Sequence, residues 1–316
     1  MNSVAEFRSV ADMSRCIALN LWRVPETIDR VVAVPQAGML PAAFLGLQIC
    51  RPVADLDWFL EADKPKSAHV LVVDDIYRTG ATIKSARERI AAKFPHLQLT
   101  TLAVYSQPGA RGAVDIVLEH TESDLLLEWS LFRSPIMAKA CLDMDGILCV
   151  DATKDQDDDG VNYRDFLINT PRHVFPRGPI HRIVTSRLEK YRAETEAWLA
   201  RHGIEYRILT MLDWESEAER RRLRPQGRFK AEVFRSDPDA ILFVESDTWQ
   251  AQEIAHAVPE KVVFDYRTRT LFDSENLKQA SLEYQVRKSL QSRARRIQSR
   301  ARQVVKRVVQ RLDPIK

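Results

Sequence analysis

The sequence predicts an α/β protein of two domains, each built on a mainly parallel sheet, followed by a basic amphipathic helix. Three observations carry this. Short apolar runs alternate with helical spacing over residues 31–128 and again over 140–273, the pattern of strands joined by crossover helices. A connector, LLLEWSLFRSP, separates the two alternations. From 277 to 316 the chain changes character, with twelve Lys or Arg against only Glu283 and Asp313. The boundaries drawn from this are 1–137, 138–275 and 276–316.

RVVAVPQAGMLPAAFLGLQI gives a strand at 31–34, a loop at 35–40 and an apolar helix. The DKPKSAH segment then carries Lys64 and Lys66, for which a solvated surface loop is the plain alternative. In VLVVDDIYRTGAT, residues 70–82, a continuous apolar run meets two adjacent aspartates and a Thr-Gly-Ala-Thr turn that leads into IKSARERI. This reads as a buried parallel strand, a loop and a helix N-terminus. The first backbone N–H groups of a helix lack intrahelical partners and carry partial positive charge, so they seat an anion. Gly80 lets the backbone of that turn approach closely, and Thr79 and Thr82 add hydroxyl donors. Asp74 and Asp75 stand where carboxylates can accept hydrogen bonds from two neighbouring sugar hydroxyls. A phosphate cradle beside a diol clamp suits a ribose 5-phosphate.

These residues resemble the phosphoribosyl pyrophosphate (PRPP) signature of type I phosphoribosyltransferases. The resemblance implies a PRPP site formed by Asp74, Asp75, Thr79, Gly80, Ala81 and Thr82, with the backbone at Ala37 and Gly38 holding pyrophosphate. Gln-Ala-Gly stands at 36–38 where many relatives carry Arg or Lys, so charge neutralisation falls to Mg²⁺, with Lys64 and Lys66 lying where the family's mobile lid is found. Other proteins also open on an apolar strand ending in Asp-Asp. The chain has no G-x-x-x-x-G-K-[ST] to grip a nucleotide, and the next apolar runs, TLAVYSQ and VDIVLEH, end without the phosphoacceptor Asp of a receiver domain. A fold retained without catalysis is the remaining alternative.

The second alternation opens with KACLDMDGILCVD, an apolar strand ending in Asp-x-Asp-Gly. RIVTSR at 182–187 is an apolar strand reaching Thr185, GRFKAEVF supplies Lys230, and AILFVESD ends a further strand in acids. In this order the four elements resemble motifs I to IV of the haloacid dehalogenase-like phosphatases. The resemblance implies that Asp143 attacks phosphorus and that Asp145 protonates the leaving alcohol and then activates water. It also implies that Lys230 and Thr185 steady the transferring group, and that Mg²⁺ is held by Asp143, the Asp145 carbonyl and Glu245 or Asp247. The strand ends in Glu-Ser-Asp where the family usually has Asp-Asp or Gly-Asp; Glu245, first to leave the strand, is favoured. The segment between motifs I and II is acidic, Pro-punctuated and too short for a large cap domain, which leaves room for a bulky substrate.

The 316 residues and 45% hydrophobic content suffice for two cores. No run approaches a membrane span and the N-terminus lacks a signal-peptide layout, so a cytoplasmic location is expected. Cys16, Cys50, Cys141 and Cys149 show no C-x-x-C pairing and read as buried thiols. The net charge of +3 combines a balanced body with the cationic tail, whose Val286, Leu290, Ile297, Ala301, Val304, Val308 and Leu312 recur at helical spacing. Such a helix suits peripheral contact with an anionic membrane; packing on the body and self-association into an oligomer are the alternatives. Interleaved aromatics are missing, so no nucleic-acid partner is expected.

A phosphoribosyltransferase leaves the 5-phosphate on its product, and a phosphatase on the same chain can remove it. Together the halves resemble the paired modules with which bacteria place ribofuranose in surface polysaccharides, which implies a glycan acceptor. Nucleobase salvage, with Trp129 or Phe132 stacking on a base, and a PRPP-sensing regulatory protein are the other readings.

Overall fold

The computed structural model describes residues 6–62, 65–107, 110, 114–213 and 226–273. Lys64 and the basic segment 277–316 lie outside the described residues, and with them the expectations about an amphipathic tail. The chain divides into two units, 1–134 and 135–316, and is mixed α/β with mainly parallel sheets.

The first unit runs β1 (Glu6–Arg8), α1 (Val10–Asn20), β2 (Arg30–Ala33), α2 (Met39–Gln48), β3 (Val53–Asp55), α3 (Leu56–Glu61), β4 (His69–Tyr77), α4 (Ala81–Lys93), β5 (Gln98–Ser106), β6 (Ile116–His120) and β7 (Leu125–Leu127). Five strands form a parallel sheet in the order β3-β2-β4-β5-β6, and β1 pairs with β7 apart from it. Alternation along the strands divides the core. Val31, Ala33, Leu71 and Val73 face Met13, Cys16 and Leu45 of α1 and α2, while Val32, Val34, Val70 and Val72 face Phe59, Ile83 and Ile90 of α3 and α4. With helices on both faces, residues 70–73 of the central strand β4 are apolar at consecutive positions, which is why VLVV shows no alternation in the sequence. Ser9 and Asp12 form a reciprocal capping box that starts α1.

The second unit contains β8 (Ala140–Leu142), α5 (Val161–Asn169), β9 (Ile180–Leu188), α6 (Arg192–Arg201), β10 (Tyr206–Leu212), α7 (Gln226–Ser236), β11 (Leu242–Glu245), α8 (Thr248–Ala257), β12 (Val262–Asp265) and β13 (Thr270–Phe272). The strand order is β10-β9-β8-β11-β12-β13, and only the β12–β13 pair is antiparallel among the described strands. Phe234 of α7 and Ile254 of α8 pack on Cys141, Phe243 and Val263 of the sheet. Asp247 accepts from the Gln250 N–H at 2.9 Å and so caps α8.

In both units the strand order reverses beside the first strand of the sheet, and parallel sheets bind ligands outside the carboxyl ends at such a point. In the first unit the reversal lies between β2 and β4, in the second between β8 and β11. Among the described residues, no helix is long and apolar enough to cross a membrane. The four cysteines are unpaired; Cys16, Cys141 and Cys149 are buried as expected, whereas Cys50 is exposed. The reason is its place in the turn closing α2, where its backbone takes φ 53° and leaves the helix's apolar face.

Candidate active sites

In the first unit β4 continues through the two aspartates to Tyr77, so these residues belong to the end of the strand. Its pairing with β2 stops at Val73, whereas its pairing with β5 runs on to Tyr77. Asp74 and Asp75 thus lie on the part of β4 that outruns β2, at the reversal point. Both are buried, and the Asp75 N–H donates to Asp74 Oδ1 at 2.9 Å. Burial and the neighbouring Asp75 charge push the Asp74 carboxyl up to about 7, and burial raises Asp75 as well.

Gly80 stands at φ 69° immediately before α4, where L-residues are strained, and a Cβ there would meet the Tyr77 ring at 2.3 Å. Thr79, Ala81 and Thr82 are exposed around the helix N-terminus, and Thr79 Oγ1 accepts from the Ala81 N–H at 3.4 Å. On the β2 side, a Cβ on Gly38 would lie 2.5 Å from the Val73 carbonyl, so only glycine lets this loop close against β4. The Ala37 N–H is turned back to the Pro35 carbonyl at 3.1 Å, and Gln36 takes φ 70°. Lys66 is exposed. Sequence reasoning gave Trp129 only as a stacking surface; its indole N–H donates to Asp75 Oδ2 at 2.9 Å, which fixes that carboxylate.

A ribose diol donates more strongly to carboxylates than to carboxylic acids. Affinity for a ligand that donates a diol to this pair is therefore expected to fall by up to about tenfold as pH drops from 8 to 6, through the raised Asp74 value. Calorimetry across this range checks it. Asp74→Asn should flatten the profile, and an unchanged slope would place the titrating group elsewhere.

In the second unit, Asp143, Asp145, Lys230, Ser246 and Asp247 line one cavity of about 350 Å³. Asp143 follows β8 and is held by its N–H to the Val244 carbonyl at 2.9 Å. The Lys230 ammonium, from α7, lies 2.9 Å from Asp143 Oδ2 and 2.7 Å from Glu245 Oε2. Burial disfavours that ammonium, yet the two carboxylates outweigh it and raise its pKa. Burial, and then the Asp143 charge, push Glu245 up to about 8.

The two candidates for a metal ligand separate here. Glu245 is fully buried, its Oε1 accepting from the Ser246 and Asp247 N–H groups and its Oε2 from Lys230, and it is not among the lining residues. Asp247 lines the cavity. Thr185 is also fully buried, accepting from the Arg187 N–H at 3.2 Å, and the adjacent Ser186 lines the cavity in its stead. Among the described residues, no group of three His, Cys, Asp or Glu side chains is gathered as for a metal. The donors do fit Mg²⁺ in kind: Asp143, Asp247 and the Asp145 carbonyl are hard oxygens, and this ion keeps several waters and needs only one or two carboxylates.

Arg187 and Ser246 are residues of this site that the sequence alone did not single out. Arg187 is 1% exposed, and its Nη2 and Nε reach Asp145 at 2.6 and 3.0 Å, with Cys149 Sγ also 3.2 Å from Nη2. Burial would raise the Asp145 pKa, but the guanidinium prevails and lowers it. The signal was the last letter of RIVTSR, an arginine on a strand whose other positions are mostly buried. Ser246 Oγ donates to the Asp145 carbonyl at 2.9 Å and lies 3.3 Å from Asp143 Oδ2, joining the two acidic loops.

Both units thus present a carboxylate site at the carboxyl end of a parallel sheet. No protein family's sequence profile matches the chain, and no curated protein matches it. Over about 40% of its length, in the N-terminal part, the solved structures it resembles include several phosphoribosyltransferases. The purine phosphoribosyltransferase of Pyrococcus horikoshii Ot3 matches at 16% identity over 40% of this chain and 93% of that one, with a TM-score of 0.35. The xanthine-guanine-hypoxanthine phosphoribosyltransferase of Helicobacter pylori matches at 17% over 40% and 93%, with a TM-score of 0.36. The orotate phosphoribosyltransferase of Aeropyrum pernix matches at 20% over 35% and 70%, with a TM-score of 0.30.

Proposed function

We propose that the chain is a bifunctional enzyme that transfers 5-phosphoribosyl from PRPP to a glycan hydroxyl and then hydrolyses the 5-phosphate, leaving ribofuranose. The observation that carries this reading is the pairing of two sites in one chain: a buried diacid beside an open helix N-terminus, and a buried carboxylate held by a lysine. In the first step the C1–O bond to pyrophosphate breaks, pyrophosphate keeping the bonding pair, and C1 bonds to the acceptor oxygen, whose proton is released to solvent. Asp74 and Asp75 orient the ribose by its hydroxyls, and the N-terminus of α4 with Thr79 and Thr82 holds the 5-phosphate.

In the second step Asp143 forms a bond to phosphorus as the ester P–O bond breaks, and the leaving oxygen takes a proton. Water then attacks the aspartyl phosphate, gives its proton to Asp145 and releases orthophosphate. Asp145, ionised beside Arg187, is ready for this second half; it serves as the acid of the first half once it takes up a proton and leaves the guanidinium. Lys230 neutralises the nucleophile until substrate arrives. Mg²⁺ held by Asp143, Asp247 and the Asp145 carbonyl would supply charge stabilisation for the transferring phosphoryl group. The location that fits such an acceptor is the cytoplasmic side of the membrane.

Nucleobase salvage is the second reading. The Trp129 bond to Asp75 bears on it, since this indole already has a structural task. Incubation with PRPP, Mg²⁺ and either glycan or nucleobase acceptors, with pyrophosphate and orthophosphate followed separately by NMR, tests both. Asp74→Asn with Asp75→Asn should abolish pyrophosphate release while phosphatase activity persists. Two charged hydrogen-bond acceptors at about 1.5–3 kcal/mol each predict more than about a hundredfold loss of PRPP affinity. Unchanged affinity would show that the sugar binds elsewhere.

A further inference from the structure

The ribbon formed by β1 and β7 stands apart from the five-stranded sheet, and the reactions proposed above give it no part. It is nonetheless firmly fastened. Glu6, Phe7 and Arg8 pair in register with Leu125, Leu126 and Leu127, and the Glu6 N–H donates to the Asp124 carbonyl at 2.8 Å. Arg8 Nη2 donates to Glu119 Oε1 on β6 at 2.6 Å, and the Val10 N–H, at the start of α1, donates to Glu128 Oε2 at 2.9 Å. Leu125 and Leu127 belong to the core on the α1 and α2 face of the sheet.

Trp129 follows directly on this ribbon, in the helical turn Glu128–Arg133. Its indole is half-buried against the same core, and Nε1–H donates to Asp75 Oδ2 at 2.9 Å. Asp75 is 2% exposed, and its own N–H donates to Asp74 Oδ1 at 2.9 Å, so the indole holds the residue whose amide holds the other acid. A carboxylate plane turns freely about its last torsion unless a donor fixes it, and phenylalanine would pack in this place without supplying one. The same bond favours the ionised form. Burial raises the Asp75 pKa, and the indole N–H is the largest influence that opposes it.

We infer that Trp129 is a positioning residue of the sugar site: mounted on the β1–β7 ribbon, its N–H holds the Asp75 carboxylate in the one orientation that accepts a sugar hydroxyl, without itself touching the ligand. This rests on the reading of Asp74 and Asp75 as the seat of a ribose diol. Without the indole donor the Asp75 carboxylate rotates and competes with Asp74 for a proton, and either change costs the diol an acceptor. The ring is needed here for its N–H and not for its face.

The test measures, by calorimetry on the full chain, the binding of 1,4-anhydroribitol 5-phosphate, which carries the diol, and of tetrahydrofurfuryl phosphate, the same ring without either hydroxyl. The wild type is expected to prefer the diol by at least about a hundredfold. Replacing Trp129 by benzothienylalanine, whose ring keeps the outline of indole with sulfur in place of N–H, should narrow that preference about tenfold and leave the affinity for tetrahydrofurfuryl phosphate unchanged. Trp129→Phe should narrow it as much. The preference is a ratio within one variant, which partial unfolding does not alter. A preference kept in both ring variants, or lost in Trp129→Phe and kept with benzothienylalanine, overturns the inference and leaves the diol seat standing. A wild type that binds neither phosphate, or binds both equally, overturns the reading of Asp74 and Asp75 and the inference with it.

Discussion

Asp143→Asn is expected to leave PRPP-dependent pyrophosphate release intact and to lower orthophosphate release at least about a thousandfold, the scale on which loss of a nucleophile acts. A phosphoribosylated acceptor should accumulate. The asparagine keeps the size of the side chain and its N–H partner at Val244, but cannot form the aspartyl phosphate, and it leaves Lys230 with Glu245 as its one remaining carboxylate. Each site is built from strands of its own sheet. Loss of both activities from a variant that remains folded would count against independent sites.

Arg187→Met should be strongly destabilising. It strands the Asp145 carboxylate, 27% exposed at its side chain, without its cation, and breaking a buried pair from one side costs about 3–5 kcal/mol. Urea denaturation checks this. The pair contributes through a lowered Asp145 pKa, so its stabilisation is present above the ordinary aspartate value of about 3.9 and lost as pH falls below it. The gap between wild type and variant should accordingly be level near neutrality and close in acid. Any residual phosphatase activity should show its acid-limited step moved to higher pH, because the guanidinium no longer holds Asp145 ionised. A variant as stable as the wild type would mean that Asp145 finds another partner.

The strands and the glycine turn of the first unit were legible because their signals are local. VLVV is apolar at consecutive positions, and Gly80 marks the left-handed residue before α4. The same holds for β8, which Asp143 follows. Partnerships were not legible. Trp129 meets Asp75 across 54 positions and Arg187 meets Asp145 across 42, and such meetings depend on strand order, which periodicity does not report. Three-residue β1 and its mate β7 escaped for the same reason, each too short for a pattern and joined only through the fold. Glu245 was favoured as a ligand by its place at the end of β11; the chain turns its carboxylate inward to Lys230 and two backbone amides, and leaves Asp247 facing the cavity.

Cys50, exposed where Cys16, Cys141 and Cys149 are buried, gives the protein a natural handle. Burial pushes the thiols of Cys16 and Cys141 up to about 12, and raises that of Cys149, so a maleimide dye at neutral pH meets three unreactive sulfurs and one accessible one. Cys50 closes the helix whose other end is the Gly38 loop. A fluorophore placed there sits, without any engineered mutation, at the end of α2 opposite the Gly38 loop.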